Sequence, residues 1–138
     1  MNIDSIKNGI VIDHIEAGKG MEIYNLLKLD TLKCSVAIIK NATSKKMGKK
    51  DIIKIDEKID LDMDILGFVS PDATVDIIID GKLSEKKKMT LPQKLTNVIH
   101  CKNPRCIVTT EQELPHIFKL ANEKSREYRC VYCETVGK

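Results

Sequence analysis

Tryptophan is absent from the 138 residues, and only two Phe and three Tyr occur. With so few rings, no alternating basic and aromatic platform of the kind that stacks single-stranded bases can be traced. Long hydrophobic runs are missing as well: none approaches the roughly 18 to 20 apolar residues of a membrane span, and the opening MNIDSIKNG lacks the apolar stretch of a signal peptide. A soluble, cytoplasmic protein with no membrane partner is the expectation. Seven Gly and four Pro are scattered, without a Gly-rich phosphate loop, a Gly/Ser or Pro-rich linker or an internal repeat. No Ser, His and Asp set with a recognisable local context occurs either, so the chain reads as non-catalytic.

What is present is enough apolar material to fold. Hydrophobic residues make up 42% of the chain, too many for a disordered tail, and the length suits one ordinary domain or two small ones. The formal net charge of +3 is unevenly spread. Residues 1–81 carry 11 Lys against 14 Asp or Glu, a balance of −3, whereas residues 82–138 carry 12 Lys or Arg against 6 Glu, a balance of +6. Four of the five cysteines also lie in the second stretch. The joint shift predicts a domain boundary near the polar run Ser84 to Lys88 and the following Leu91-Pro92, giving domains 1–90 and 91–138.

In the first stretch, residues 10–15 are rich in β-branched side chains and predict a strand. Ile23, Leu26 and Leu27 recur at helical spacing over residues 21–29. Strands are predicted at 33–40, which includes Cys34 as a core thiol, and at 51–56, joined by a hairpin loop over 41–50. A second helix follows at 61–69, then a strand at 73–79, the turn Asp80-Gly81 and an extra edge strand at 82–87. The order strand, helix, strand, strand, helix, strand is the split βαβ, ferredoxin-like plan, an antiparallel sheet with two helices. Such a plan hosts many functions. Strand alternation puts Asp13 and His14 on opposite faces, unless the twist at the strand end lets both line a cleft. Taken singly, Asp13 fits a cap, His14 a packed imidazole and Lys54 a solvated strand lysine.

In the second stretch, Cys101 and Cys106 are spaced by four residues and Cys130 and Cys133 by two. Two close pairs of thiols supply four soft anionic ligands, the set that a structural Zn²⁺ takes with no open position left for chemistry. A segment of some 45 residues buries too little apolar surface to fold alone, so a metal has a physical purpose there. Two disulfides, buried thiols and an iron centre are the competing readings. The predicted architecture is a small all-β zinc ribbon, with Ile107, Val108, Ile117, Phe118, Leu120 and Val131 as its core. His116 reads as a surface residue. The basic balance suits phosphate, which makes a nucleic-acid-binding zinc ribbon of transcription or translation the alternative, or else an acidic protein partner.

In four ordered segments, Val11-Ile12-Asp13-His14-Ile15, the stretch from Met47 to Ile55, Pro71-Asp72-Ala73-Thr74-Val75 and the two cysteine pairs, the chain resembles the regulatory chain of aspartate carbamoyltransferase. The resemblance runs from about Ile6 to Cys133. It implies a ferredoxin-like domain for nucleotide effectors (CTP, ATP, UTP) and one structural zinc in a domain that docks on the catalytic chain. It further implies assembly of six catalytic with six regulatory chains, a homodimer of regulatory chains and allosteric control of pyrimidine synthesis, with nucleic acid no partner. Asp13 is implied at the ribose hydroxyls, His14 near the phosphates and Lys54 at base and ribose, with apolar walls from Ile6, Val11 and Ile52. Lys86 aligns with a phosphate-binding lysine. Asp76 stands where the family commonly has Asn, and as a carboxylate it accepts but does not donate hydrogen bonds. Asn103 and Arg105 fall where the family meets its partner.

Overall fold

Buried isoleucines at positions 10, 12, 53 and 55, with Val75, form the floor of the first unit's core, and a strand rich in such residues is stable only when a second layer covers that face. The computed structural model describes residues 7–137. These run β1 (Gly9–Glu16), α1 (Gly20–Leu26), β2 (Val36–Ser44), β3 (Gly48–Ile55), α2 (Met63–Val69), β4 (Thr74–Ile79), β5 (Lys82–Lys88), β6 (Lys94–Thr96), α3 (Ile107–Thr110), β7 (Ile117–Asn122) and β8 (Glu127–Cys130). The chain divides into two compact units between Thr90 and Leu91.

In the first unit all neighbouring strands are antiparallel, in the order β2-β3-β1-β4-β5. This is the ferredoxin-like arrangement with β5 added at one edge. Ile23 of α1 and Leu66 and Val69 of α2 close the core over one face of the sheet. Asp62 caps α2, its Oδ1 accepting from the Asp64 and Ile65 amides at 3.0 and 3.2 Å.

Several boundaries differ from the expectations. The first helix stops at Leu26; Lys28 takes a left-handed φ of 55°, and a single 3-10 turn spans Leu29–Thr31. The hairpin between β2 and β3 is short, because pairing continues through Thr43↔Lys49 and Ser44↔Gly48 after the apolar residues end. Backbone hydrogen bonds hold polar side chains in a strand as readily as apolar ones, so hydrophobicity alone underestimates its length. Cys34 lies ahead of β2 rather than inside it, half-buried against the core.

Two bulges flank β3. On β1 the register moves from Ile12↔Ile53 to Ile15↔Asp51, so Asp13 and His14 together oppose Ile52, and His14 has a φ of 56°. On β2 a similar shift falls between Ile39 and Ala42, with Asn41 at φ 59°. Between the bulges sits the fully buried Asp51. Its Oδ2 accepts from the Gly18 and Gly20 amides at 3.1 and 3.0 Å, and its Oδ1 accepts from Asn41 at 3.0 Å. Gly20 must be glycine, since a Cβ there would lie 2.8 Å from Asp51 Oδ2.

The second unit is a three-stranded antiparallel sheet, β6-β7-β8, with the four-residue α3 and a cluster of cysteines. Leu95, Val108, Phe118 and Tyr128 are buried in it, together with Cys101, Cys106 and Cys130. Ile107 and Val131, expected in this core, are exposed instead. Tyr128 has its ring fully buried and donates its hydroxyl to the Pro92 carbonyl at 2.7 Å. Gly137 packs on Phe118 so closely that a Cβ would overlap the ring.

Candidate functional site

The bulge on β1 decides what the sheet's outer face presents. Ile12 and Ile15 both point into the core, an odd spacing that a regular strand cannot produce. The two residues between them are therefore both available to the opposite face, which removes the separation of Asp13 from His14 that plain alternation predicts. Asp13 Oδ1 accepts from the His14 amide at 2.6 Å and pairs with Lys50 Nζ at 2.9 Å. His14 Nδ1 lies 3.0 Å from Thr74 Oγ1.

Cross-strand partners share a face, so the registers define rows. One row runs Ala37, Lys54, Val11, Asp76, Lys86 across all five strands. Next to it lie Ile52, the Asp13-His14 pair, Thr74 and Lys88. On the other side Gly9, Ile78 and Leu83 form an apolar end, where Leu83 is 60% exposed. The face thus grades from apolar to charged along the strands. It brings together Val11, Asp13, His14, Ile52, Lys54, Asp76 and Lys86; Ile6 lies outside the described residues. Lys50, Thr74 and Lys88 were not expected there. Lys50 belongs to a lysine run that reads as a solvated loop, and only the start of β3 at Gly48, ahead of the apolar residues, brings it beside Asp13.

The two acids of this face are held differently. Burial works against ionisation of Asp13, but the hydrogen bonds from Lys50 and the His14 amide win and keep its carboxyl below the ordinary value. Burial pushes the Asp76 carboxyl up, offset in part by Lys86. Asp76 Oδ1 is buried without a hydrogen-bond partner.

The second site is built by two knuckles. In the first, Asn103 Oδ1 accepts from the Arg105 amide at 3.0 Å, and the Cys106 amide donates to the Asn103 carbonyl at 3.1 Å. The Asn103 amide group also lies 3.5 Å from Thr135 Oγ1, so this half-buried residue ties one knuckle to the other, while Arg105 is exposed. In the second, the Glu134 amide donates to the Cys130 carbonyl at 2.8 Å, and Glu134 takes a φ of 64°. The sulfurs of Cys101, Cys106, Cys130 and Cys133 all lie within 4.8 Å of one another. Cys101 to Cys133 is 3.6 Å and Cys106 to Cys130 is 3.7 Å. A tetrahedral ion with thiolate bonds of about 2.3 Å separates its sulfurs by about 3.8 Å, so the cluster fits such an ion.

His116, expected at the surface, is half-buried: its Nδ1 accepts from the Cys101 amide at 3.0 Å, and its ring meets His100 edge-on at 4.7 Å. Pro115 conceals this from the sequence, because it suggests an exposed loop. Burial raises the Cys101 thiol to about 12 and raises Cys106, while the Thr135 hydroxyl and amide lower Cys133 to about 6. A group of thiols this close cannot all ionise without a cation among them. Beside the knuckles in sequence, Ile107, Val131 and Tyr132 are exposed at 52%, 37% and 41%.

Among the described residues no helix is long and apolar enough to cross a membrane. Two family models cover nearly the whole chain: the allosteric domain of the aspartate carbamoyltransferase regulatory chain matches residues 1–90, and the metal binding domain of the same chain matches residues 93–138. The regulatory chain from Clostridium acetobutylicum is 51% identical over 138 residues, spanning all of this chain and 94% of the relative. The one from Clostridium tetani is 50% identical over 139 residues, spanning 100% and 96%, and that from Bifidobacterium longum is 46% identical over 138, spanning 100% and 99%. The chain belongs to the aspartate carbamoyltransferase regulatory chain family and is a non-catalytic subunit with an allosteric and a metal-binding domain.

Proposed function

We propose that this chain places pyrimidine synthesis under nucleotide control: CTP, ATP and UTP bind the outer face of the five-stranded sheet, and the effect passes to a catalytic chain of aspartate carbamoyltransferase docked on the second unit. The observation that carries the nucleotide reading is the β1 bulge, which turns Asp13 and His14 to the face bearing Lys54 and Lys86. Asp13 accepts the ribose hydroxyls, His14 and Lys86 meet the phosphates, and Lys54 reads base and ribose. Val11 and Ile52 are the apolar walls. This division matches the chemistry: cations for phosphate oxygens and a carboxylate for hydroxyl donors.

One Zn²⁺ holds the four cysteines, as the soft all-thiolate donor set and the sulfur spacing favour. When bound it supplies cross-linking charge and no reactive position. Asn103 shapes the first knuckle, Arg105 is free to reach a partner, and the exposed Ile107, Val131 and Tyr132 give the docking surface its apolar part. Six regulatory chains, paired as homodimers, serve six catalytic chains in the cytoplasm. Effectors that bind the two states of this assembly unequally shift their balance, by couplings of about 1 to 3 kcal/mol.

Calorimetric titration of the purified chain with CTP tests the pocket. His14→Ala and Lys54→Ala are each expected to weaken binding about tenfold or more, as removal of a charge-assisted hydrogen bond does. Zinc content should stay at one per chain. If neither substitution changes the affinity, the pocket assignment is wrong.

A further inference from the structure

Asp76 occupies the centre of the charged row, paired with Val11 on one side and Lys86 on the other. Its buried Oδ1 finds no donor. The charged groups that reach it are Lys86, Asp13, His14 and Lys50. Lys50 is engaged with Asp13 at 2.9 Å, which leaves Lys86 as the cation across the strand pair from Asp76. In the reading above, His14 and Lys86 are the groups that meet the phosphates. A phosphate placed between them must therefore come up against the Asp76 carboxylate.

We propose that Asp76 is a specificity-determining residue of the effector site, opposing phosphate charge so that each added phosphate gains less affinity than the neighbouring cations alone would confer. The inference rests on the nucleotide reading. Two like charges in one part-buried site disfavour each other by the equivalent of a pK unit or more, which is about tenfold in affinity. A carboxylate offers a phosphate oxygen nothing to accept, whereas the isosteric amide offers two N–H donors. The same residue leaves a neutral nucleoside unaffected, because the repulsion needs the phosphate. Burial of the carboxyl works against this opposition, since a protonated Asp76 would lose its charge and become a donor, so the opposition is full only where the carboxyl is ionised.

The test is a charge series. Cytidine, CMP, CDP and CTP are titrated into the full chain and its Asp76→Asn variant, in metal-free buffer at about pH 8, where an ordinary carboxyl is ionised. The ratio of variant to wild-type affinity is expected to lie near one for cytidine and to climb with phosphate number, reaching about tenfold or more for CTP. A ratio equal for all four ligands overturns the proposal, since Asp76 would then act on sugar or base; so does an unchanged CTP affinity. If neither protein binds any of the four, the nucleotide reading itself falls and takes this inference with it. The thermal midpoint of the variant, matched to wild type, shows that the sheet is intact.

Discussion

Stripping the metal from the intact protein with a chelator is expected to unfold residues 91–137 and release the catalytic chain, with the five-stranded sheet left folded. The second unit has only a handful of fully buried side chains, Leu95, Val108, Phe118 and Tyr128 among them, and segments of this size do not fold on such a core alone. Structural zinc contributes about 10 to 16 kcal/mol in comparable small domains, above the roughly 3 to 5 kcal/mol that a core of this size supplies. Loss of the ion also leaves buried thiols in contact, with Cys101 and Cys106 protonated at neutral pH. The two knuckles would then be held by hydrogen bonds alone, such as Cys106 to Asn103 within one turn and the 3.5 Å contact of Asn103 with Thr135 between them. Amide exchange reads the outcome residue by residue: protection at Phe118, Tyr128 and Cys130 should vanish, and size-exclusion chromatography should show free catalytic chain. Retained protection after complete metal removal would mean that the cysteines are incidental to the fold.

Replacing Asp51 by Ala is expected to destabilise the first unit by about 3 kcal/mol or more, because three buried or part-buried amides lose a charged acceptor at once. The carboxylate they would lose is fully buried. Gly20 would face a hole where it now touches the carboxylate, and the Asn41 bulge would lose the bond that fixes its left-handed residue. Both bulges abut this residue, so the substitution should also loosen the Asp13-His14 pair and weaken nucleotide binding without touching the ligand. Urea unfolding reads the loss as a lower midpoint with an unchanged slope. A loss below about 1 kcal/mol would show that these amides find other partners. Asp51→Asn should cost less, since one acceptor oxygen is kept.

Much of this fold could be read from residue patterns, because its strands are β-branched and its turns carry punctuating residues such as Asp80-Gly81. The bulge was within reach too. In Ile10, Ile12 and Ile15 the inward spacing breaks from two to three, with a polar pair, Asp13-His14, in the gap; that break is what a bulge looks like in a sequence. Asp51 gave no such sign. An acid heading a strand looks solvated, and only three amides from β1, α1 and β2 neighbourhoods make it a core residue. Lys50 and His116 were hidden for the same reason: each acts through a partner distant in sequence, Asp13 in one case and the Cys101 amide in the other. The cysteine pairs were legible because metal geometry forces close spacing within each pair, whatever lies between them.

In the function proposed, this non-catalytic chain makes an enzyme responsive to nucleotides. Carbamoyl aspartate formation by the assembled catalytic and regulatory chains, measured at subsaturating aspartate with and without CTP, ATP or UTP, tests it most directly. At least one nucleotide is expected to shift the aspartate half-saturation, within the roughly 5- to 150-fold range of ordinary allosteric couplings, and the shift is expected to disappear in His14→Ala. A chain that fails to join the catalytic chain, or an assembly whose rate ignores all three nucleotides, would contradict it.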